Sequence, residues 1–302
     1  MTIHMNEEGV KPLHCTKTKQ IPKHWAGKAD KLIQELLEGG VIVKEDNPTE
    51  WINIGFFVPK PNNPDALRLV TDLRQLNKYV KRPIHPFPSA QSILQNLDSD
   101  SKYFIKLDAV HGYFQIPLTE ESSKLTTFLL PQGRFRYRVA PMGCSASSDE
   151  WCRRSDIAIQ GVPGTQKLVD DILISAPSKD VALQRLCMTL DGCRKAGVII
   201  SHKKLKMGTE IFFGGFVINS NGVEPNPENV AGIAKFPAPT NVSELRSFLG
   251  LVNTFDIFHP DLAHAKATLN QLLRKNIAWV WLDDHEKSFQ DIKDLLSKEM
   301  KL

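Results

Sequence analysis

Apolar residues recur at helical spacing in several stretches of the chain. Across residues 24–37 the apolar set is Trp25, Leu32, Ile33, Leu36 and Leu37. This spacing brings the side chains to one helical face, and two glycines follow where such a helix would end. We therefore predict a helix here, and further helices near residues 91–97, 145–160, 181–196 and 285–300.

A capping pattern predicts another helix in the C-terminal third. Asn241 precedes Glu244 by three positions, which is the spacing of a helix N-terminal capping pair. One apolar face follows, made of Leu245, Phe248, Leu249 and Val252. The last third of the chain is therefore predicted to be helical.

Apolar and β-branched runs between turn residues predict strands. A strand begins at residues 41–43, and WINIGFFVPK and LRLVTDL flank the turn PNNPDA. A second hairpin turns at residues 131–133, and EIFFGGFVINSNGVEPNP is predicted to be a hairpin that turns at Asn221 and Gly222. YFIKLDA and KLVDDILIS are also strand-like. KRPIHPFPSA contains Pro83, Pro86 and Pro88, so it is an extended connector.

Strands and helices alternate without a regular period, and no glycine-rich phosphate loop is present. This order favours an α+β fold over a doubly wound nucleotide-binding fold. The first 22 residues are polar and contain Pro12 and Pro22, so we expect a partly disordered leader there.

Composition narrows the class of protein without identifying its function. No stretch reaches the roughly 20 apolar residues of a membrane span, and no signal peptide is evident, so we expect an intracellular protein, in the cytoplasm or the nucleus, without a membrane partner. The five cysteines are scattered, which favours reduced thiols over a zinc site. A net charge of +4 is compatible with a nucleic-acid partner but does not demonstrate one.

Three aspartates lie in strand-like apolar surroundings. Asp108 ends the run FIKLDA, and Asp170-Asp171 interrupts KLVDDILIS. Buried like charges need a compensating proton or cation, and Mg²⁺ binds through one or two carboxylates plus substrate phosphates. Neighbouring strand residues point to opposite faces, so the pair can share a metal only if the backbone bends between the two strands. For an isolated Asp-Asp pair, a simple hairpin turn is the commoner explanation.

The order of motifs resembles the reverse transcriptases of gypsy-type LTR retrotransposons and, more distantly, of retroviruses. The blocks are LRLVTDLRQLNKYV, IKLDAVHGYFQIPL, VDDILIS and IFFGGFVINSNGVEPNPENVAGIAKFPAPTNVSELRSFLGLVNTF. The resemblance implies a right-hand polymerase fold with fingers, palm and helical thumb. It also implies DNA synthesis from deoxynucleotides on a primed RNA or DNA template, using two Mg²⁺ ions, for which Mn²⁺ can substitute. It allows a homodimer.

The resemblance also divides the chain into expected regions. The expected division is leader 1–22, fingers 23–83 and 115–146, palm 84–114 and 147–217, thumb 218–265, and the start of a connection segment at 266–302. WVWLDDHEKSFQDIKDLLSKEMKL resembles that connection. We expect a polymerase region without RNase H, either as part of a polyprotein or as an independent gene.

Carried over by position, the resemblance makes Asp108, Asp170 and Asp171 the catalytic metal-binding acids, with Ala109 beside the metal. Tyr113 corresponds to the aromatic residue that excludes a ribose 2′-hydroxyl, although an isolated tyrosine is more often a core residue. Arg68 corresponds to the arginine that grips the triphosphate, a task suited to its planar set of donors. Lys60 is a second candidate for that task, or simply a solvated surface lysine.

The remaining positions concern the template and primer. Met142 and Gly143 correspond to residues that position the base and the template. Phe213 and Gly214 resemble the primer grip, while Leu168 and Val169 lie near the primer end. Lys204 corresponds to a general acid for pyrophosphate, although a surface charge cluster explains HKKLK equally well.

Two positions depart from the family pattern. Leu168 replaces the usual aromatic residue before the acid pair, and Ser-Ala-Ser at residues 145–147 replaces the usual Asn-Ala-Pro. The sequence leaves three candidate functions. The chain is an RNA-directed DNA polymerase, another palm-based nucleotidyl transferase or cyclase, or a catalytically retired reverse transcriptase that still binds nucleic acid. The intact acids favour the first.

Overall fold

The fold contains many short strands, and two longer ones form a β-hairpin in its N-terminal half. The structure is a computed structural model that describes residues 1–6, 9–61, 63–259 and 261–296. The strands are β1 Ile42–Lys44, β2 Asn53–Lys60, β3 Asn63–Asp72, β4 Tyr103–Asp108, β5 Phe128–Leu130, β6 Gly133–Tyr137, β7 Thr165–Leu168, β8 Asp171–Ala176, β9 Lys206–Gly208, β10 Glu210–Phe213, β11 Phe216–Asn219 and β12 Gly222–Pro225.

Each predicted helix is present in the described part of the chain, and four further helices were not predicted. The helices are α1 Ala26–Glu38, α2 Arg74–Asn77, α3 Ala90–Gln95, α4 Glu120–Leu125, α5 Ser145–Ile159, α6 Lys179–Ala196, α7 Pro227–Ala234, α8 Val242–Val252, α9 Leu262–Gln271 and α10 Asp283–Leu296. The predicted helix at 285–300 is confirmed up to residue 296, and its last four residues lie outside the described residues. No described helix is both long and apolar enough to cross a membrane.

The chain divides into two units. Unit 1 comprises Met1–Phe87, Asp108–Val162 and Cys187–Lys203, and unit 2 comprises Pro88–Leu107, Pro163–Leu186 and Lys204–Leu302. Unit 1 contains a five-stranded sheet in the order β1-β6-β5-β2-β3. The buried face of α1 packs with the apolar side of this sheet through Ala29, Ile33, Phe57, Phe128 and Phe135.

Unit 2 contains the smaller sheets and the C-terminal helices. One sheet has the order β7-β8-β4-β9, and the other is the meander β10-β11-β12. Helices α7 to α10 share a separate core that includes Ile233, Phe248, Leu269 and Phe289. Asn241 caps α8 as predicted, since its side chain accepts a hydrogen bond from the Glu244 backbone N–H. The predicted α+β architecture is thus confirmed.

Two strand predictions were wrong in detail. The PNNPDA turn is shorter than predicted, because β3 already begins at Asn63 and pairs with Lys60 across a bulge. EIFFGGFVINSNGVEPNP forms three strands, so a turn at Gly214 and Gly215 was missed. The second turn uses residues 220–221 rather than Asn221 and Gly222. Paired glycines with positive φ permit the tight first turn, which the apolar pattern alone does not reveal.

The leader is more ordered than its composition suggested. Ile3 is buried and its N–H donates to the Ser122 hydroxyl at 2.8 Å. Met5 forms a β-bridge with Val80, and His14 forms one with Ile52. Scattered apolar residues without a helical or strand period supply these contacts, so these parts of the leader are held in place, and partial disorder elsewhere in it stays a prediction. The five cysteines, all within the described part of the chain, form no disulfide, and Cys144, Cys152 and Cys193 are buried, whereas Cys187 is exposed.

Candidate active site

The acid pair lies at a two-residue hairpin turn. Leu168 and Asp171 are opposite each other in the antiparallel β7-β8 pair, so Val169 and Asp170 form the loop. The apolar run KLVDDILIS is therefore two strands, and the backbone bends at the place where two adjacent acids require it. This bend, predicted from the chemistry of the pair, is confirmed.

Val169 has an unusual backbone conformation at this turn. Its φ is 54°, a left-handed value that is strained for a β-branched residue. The strand that follows is anchored by Ile172, Leu173 and Ile174, all of them buried. Burial of β8 therefore holds the turn in a conformation that the local sequence disfavours.

Asp171 forms a short ion pair with Lys106. Lys106 Nζ donates to Asp171 Oδ2 at 2.6 Å, and the two side chains are 19% and 25% exposed. The strands that carry them, β4 and β8, are neighbours in the sheet. The sequence analysis did not identify Lys106. The available signal was its position two residues before Asp108 on one strand, which gives both side chains the same face of β4.

Asp108 is the last residue of β4. Its backbone carbonyl accepts a hydrogen bond from Ser201 N–H at 2.8 Å, and Ala109 is buried and bridges to Ile200. Asp108 and Ala109 belong to unit 1, whereas Asp170 and Asp171 belong to unit 2. A common site for the three acids therefore stays a prediction.

The predicted primer-contacting residues Leu168 and Gly214 lie next to each other. Gly214 is in the β10-β11 turn with φ of 60°, and a Cβ there would lie 3.1 Å from Leu168 Cδ2. The same Cβ would lie 3.0 Å from Ala90 Cβ. Phe213, one residue earlier, is fully buried in the core of unit 2. The structure thus brings the hairpin of the acid pair and the glycine turn together.

The predicted triphosphate-binding residues lie on the long hairpin of unit 1. Arg68 is on β3 opposite Val58, and Lys60 ends β2 opposite Asn63. Both side chains are exposed. Arg68 lies five residues into β3, not just past the turn, because the loop is shorter than predicted. An exposed, regularly paired strand leaves the guanidinium available to a ligand.

Asn77 fixes the turn that contains Met142 and Gly143. Its side-chain amide donates to the Gly143 carbonyl at 2.8 Å, and its side-chain oxygen accepts from Ser145 N–H at 2.9 Å. Gly143 has φ of 89°, which favours glycine. Asn77 therefore connects α2 to the first residue of α5. Asn77 was not predicted as a site residue, although it lies inside the LRLVTDLRQLNKYV motif.

Tyr113 and Lys204, the last two predicted site residues, each lie in a short 3-10 helix. Tyr113 is partly buried in the short 3-10 helix Gly112–Gln115. Lys204 is exposed at the end of the 3-10 helix His202–Lys204. Neither placement tests the role implied by the resemblance, so both roles stay predictions.

A buried carboxylate anchors the proline-rich connector to α5. Asp149 is fully buried and accepts from Arg82 Nε at 2.9 Å and Arg82 Nη2 at 3.0 Å. The His85 backbone N–H donates to the same carboxylate at 3.1 Å. Burial alone would raise the pKa of Asp149, but the Arg82 and His85 hydrogen bonds outweigh it and lower the pKa. The connector is thus held by a charged, bidentate contact.

Comparison with known proteins identifies the family. Residues 58–250 match the family described as reverse transcriptase (RNA-dependent DNA polymerase). The chain belongs to the reverse transcriptase family. This reverse transcriptase domain is 30% identical over 274 residues to the Tf2-3 transposon polyprotein of Schizosaccharomyces pombe, a match that covers 88% of the chain and 20% of that polyprotein.

Other relatives extend the comparison. The retrovirus-related Pol polyprotein from transposon opus of Drosophila melanogaster is 27% identical over 295 residues, which covers 93% of this chain and 29% of that protein. The reverse transcriptase domain therefore spans less than a third of the curated relatives named here. It corresponds to the reverse transcriptase domain of retroelement polyproteins.

Solved structures confirm the polymerase fold. The foamy viral protease-reverse transcriptase in complex with dsDNA superposes with a TM-score of 0.87 at 25% identity, covering 100% of this chain and 62% of that one. The same viral protein with an RNA/DNA hybrid gives a TM-score of 0.84 at 25% identity, covering 99% and 40%.

Proposed function

We propose that this reverse transcriptase extends a primer with deoxynucleotides on an RNA or DNA template and comes from a gypsy-type LTR retroelement. The observation that carries the proposal is the two-residue β7-β8 turn, which places Asp170 and Asp171 at one end of a buried hairpin. The foamy viral proteins of the same fold are bound to dsDNA and to an RNA/DNA hybrid. A primed template is the corresponding partner here.

We assign the metal-binding role to Asp108, Asp170 and Asp171. The family uses divalent metal ions, and carboxylate oxygens are the ligands that Mg²⁺ prefers. Among the described residues, no group of three or more His, Cys, Asp or Glu side chains is arranged to hold a metal ion. The donor chemistry of the adjacent acids nevertheless fits Mg²⁺, because that ion completes its shell with phosphates and water. When bound, two such ions would activate the primer 3′-hydroxyl and stabilise the pyrophosphate.

The other assignments follow the positions of the side chains. Arg68 offers a fork of donors to the triphosphate, with Lys60 as a second cation on the same hairpin. Tyr113 excludes a ribose 2′-hydroxyl by its bulk. Gly214 lets the backbone approach the primer phosphate, since it carries no side chain.

The remaining assignments concern the template and the leaving group. Met142 and Gly143, held by Asn77, contact the base and template. Lys204 remains a candidate proton donor to pyrophosphate. The division into fingers, palm, thumb and connection given above is part of the same proposal.

The direct test is extension of a DNA primer annealed to an RNA template, with Mg²⁺ and four deoxynucleotides. Asp170→Asn should lower incorporation by about 1,000-fold or more, because several kcal/mol of transition-state stabilisation are lost. Template-primer binding, measured by fluorescence anisotropy, should change little because phosphate contacts elsewhere supply most affinity. The matched control is Asp180→Asn, an exposed acid in the first turn of α6. Full activity of Asp170→Asn would overturn the assignment.

A second candidate function is nucleic-acid binding by a retired polymerase. It is favoured by the ion pair that occupies Asp171 and by Leu168 in place of the family aromatic residue. Tight template-primer binding without any extension by the unmodified chain would establish this alternative.

A further inference from the structure

Lys106 contacts one of the acids to which we assign the metal, and nothing in the family comparison gives it a role. Its ammonium lies 2.6 Å from Asp171 Oδ2. It also lies 5.8 Å from the centroid of the Phe213 ring, within range of a cation-π interaction. Lys106 thus stands between the acid pair and the aromatic residue that precedes the glycine turn.

In the absence of metal, the Lys106 ammonium supplies the positive charge that the acid pair requires. Asp170 and Asp171 are adjacent carboxylates, which repel each other unless a positive charge is near. On the other side, Lys106 is directly opposite Lys206 in the antiparallel β4-β9 pair. Like charges in that position are unfavourable. Pairing of Lys106 with Asp171 relieves both repulsions.

We propose that Lys106 is a positioning residue that competes with divalent metal for Asp171, and thereby sets the metal concentration that the site requires. The proposal rests on the proposed function, since it takes Asp171 as a metal ligand. The Lys106 ammonium neutralises the Asp171 carboxylate, occupies an acceptor site on Oδ2 and repels an incoming divalent cation, so the ion pair weakens metal binding to this side chain.

The test measures metal binding without catalysis. Thermal unfolding of the full 302-residue chain is followed against Mg²⁺ concentration, without nucleic acid or deoxynucleotides and at constant ionic strength. In Lys106→Met, the Mg²⁺ concentration that gives half of the maximal rise in Tm should fall by about tenfold, because a charge-assisted hydrogen bond no longer opposes the metal.

Three further variants exclude a purely structural explanation. Lys106→Arg keeps the positive charge, so its Mg²⁺ midpoint should stay within about twofold of the unmodified chain. Lys102→Met removes an exposed lysine just before β4 and should leave the midpoint unchanged. Asp171→Asn should weaken the Mg²⁺ response whether Lys106 is present or not. Lys106→Gln replaces Lys106→Met if the latter does not fold.

An unchanged or raised midpoint in Lys106→Met, or no Mg²⁺ response in any variant, would overturn the proposal. The primer-extension assay separates this failure from that of the proposed function. Extension by the unmodified chain with an unchanged midpoint in Lys106→Met would remove only the role of Lys106. A tenfold shift without extension would keep that role and remove the polymerase activity.

Discussion

The backbone of Gly214 packs directly against the side chain of Leu168. A Cβ added at residue 214 would be 3.1 Å from Leu168 Cδ2, which is tighter than nine in ten natural Cβ contacts. The two residues belong to different hairpins, so the Leu168 side chain packs the hairpin of the acid pair against the glycine turn. Glycine at residue 214 is therefore required for two reasons, its positive φ and this close approach.

Replacement of Gly214 by alanine should destabilise the fold. The added methyl group meets Leu168 and Ala90 while φ is 60°, so we expect a loss of about 2 kcal/mol in the free energy of unfolding. Urea denaturation measures it. The matched control is Gly232→Ala in α7, where an added Cβ has no atom within 4 Å. That change should be neutral or stabilise by up to about 1 kcal/mol. Equal effects of the two changes would contradict the close packing.

Val169→Gly tests the strain at the acid turn. Glycine adopts the left-handed φ of 54° readily, so relief of strain should offset the entropy of the more flexible unfolded chain. We expect a change in unfolding free energy within about 1 kcal/mol of zero. Val217→Gly in β11, a half-buried strand position, should instead cost about 2 kcal/mol. A large loss for Val169→Gly would show that its side chain, rather than its backbone, matters for stability.

Tyr113→Ala should allow incorporation of ribonucleotides. The aromatic ring is assigned to exclude the 2′-hydroxyl, so its removal should raise the ratio of ribonucleotide to deoxynucleotide kcat/KM by about 100-fold or more. Single-nucleotide extension with each substrate gives the ratio. Tyr113→Phe keeps the ring and should keep the exclusion. Unchanged selectivity in Tyr113→Ala would remove this residue from the nucleotide site.

Asp149 makes the free energy of unfolding depend on pH in the acid range. Its pKa is lowered in the folded protein from the ordinary value of 3.8, because the Arg82 and His85 contacts favour the carboxylate despite burial. The contribution to stability is complete above about pH 3.8 and disappears as pH falls through the lower, folded-state pKa. Asp149→Asn should cost about 2 kcal/mol at pH 7.

The loss caused by Asp149→Asn should shrink at acid pH, because both proteins then carry a neutral side chain at residue 149. Urea denaturation measures the difference, from pH 7 down to pH values well below the ordinary carboxyl pKa of 3.8, where the folded-state carboxylate also becomes protonated. Glu121→Gln, at an exposed position in α4, is the control, and it should leave the pH dependence unchanged. A difference between Asp149→Asn and the unmodified chain that stayed constant with pH would contradict the ionic role.

Much of the fold follows from local pattern. The faces of α1 and α8, the Asn241 cap and the bend at Asp170 could be predicted because each depends on residues close in sequence. The third strand of the β10-β11-β12 sheet was missed, although Gly214 and Gly215 between two apolar runs are a turn signal in the sequence itself. The order of the leader depends on contacts such as Met5 with Val80, which local pattern does not contain.

The candidate site, too, could be predicted only in part from the sequence. Their apolar surroundings made Asp170 and Asp171 candidates, and the resemblance to reverse transcriptases assigned them the metal-binding role. Lys106, Asn77 and the Arg82-Asp149 pair were missed because their partners lie far along the chain. A lysine in a strand looks like a solvated charge until the fold supplies a carboxylate beside it.

The two-residue turn of the acid hairpin also limits how this gene can change in length. Because Leu168 faces Asp171 across the pair with only two residues between them, the loop is already as short as hairpin loops commonly are, and a residue deleted there would shift the register by one. Such a shift moves each side chain of β8 to the opposite face, exposing residues that are now buried. Another two-residue turn, at residues 131–132 between β5 and β6, is subject to the same limit, because Leu130 faces Gly133 across that pair.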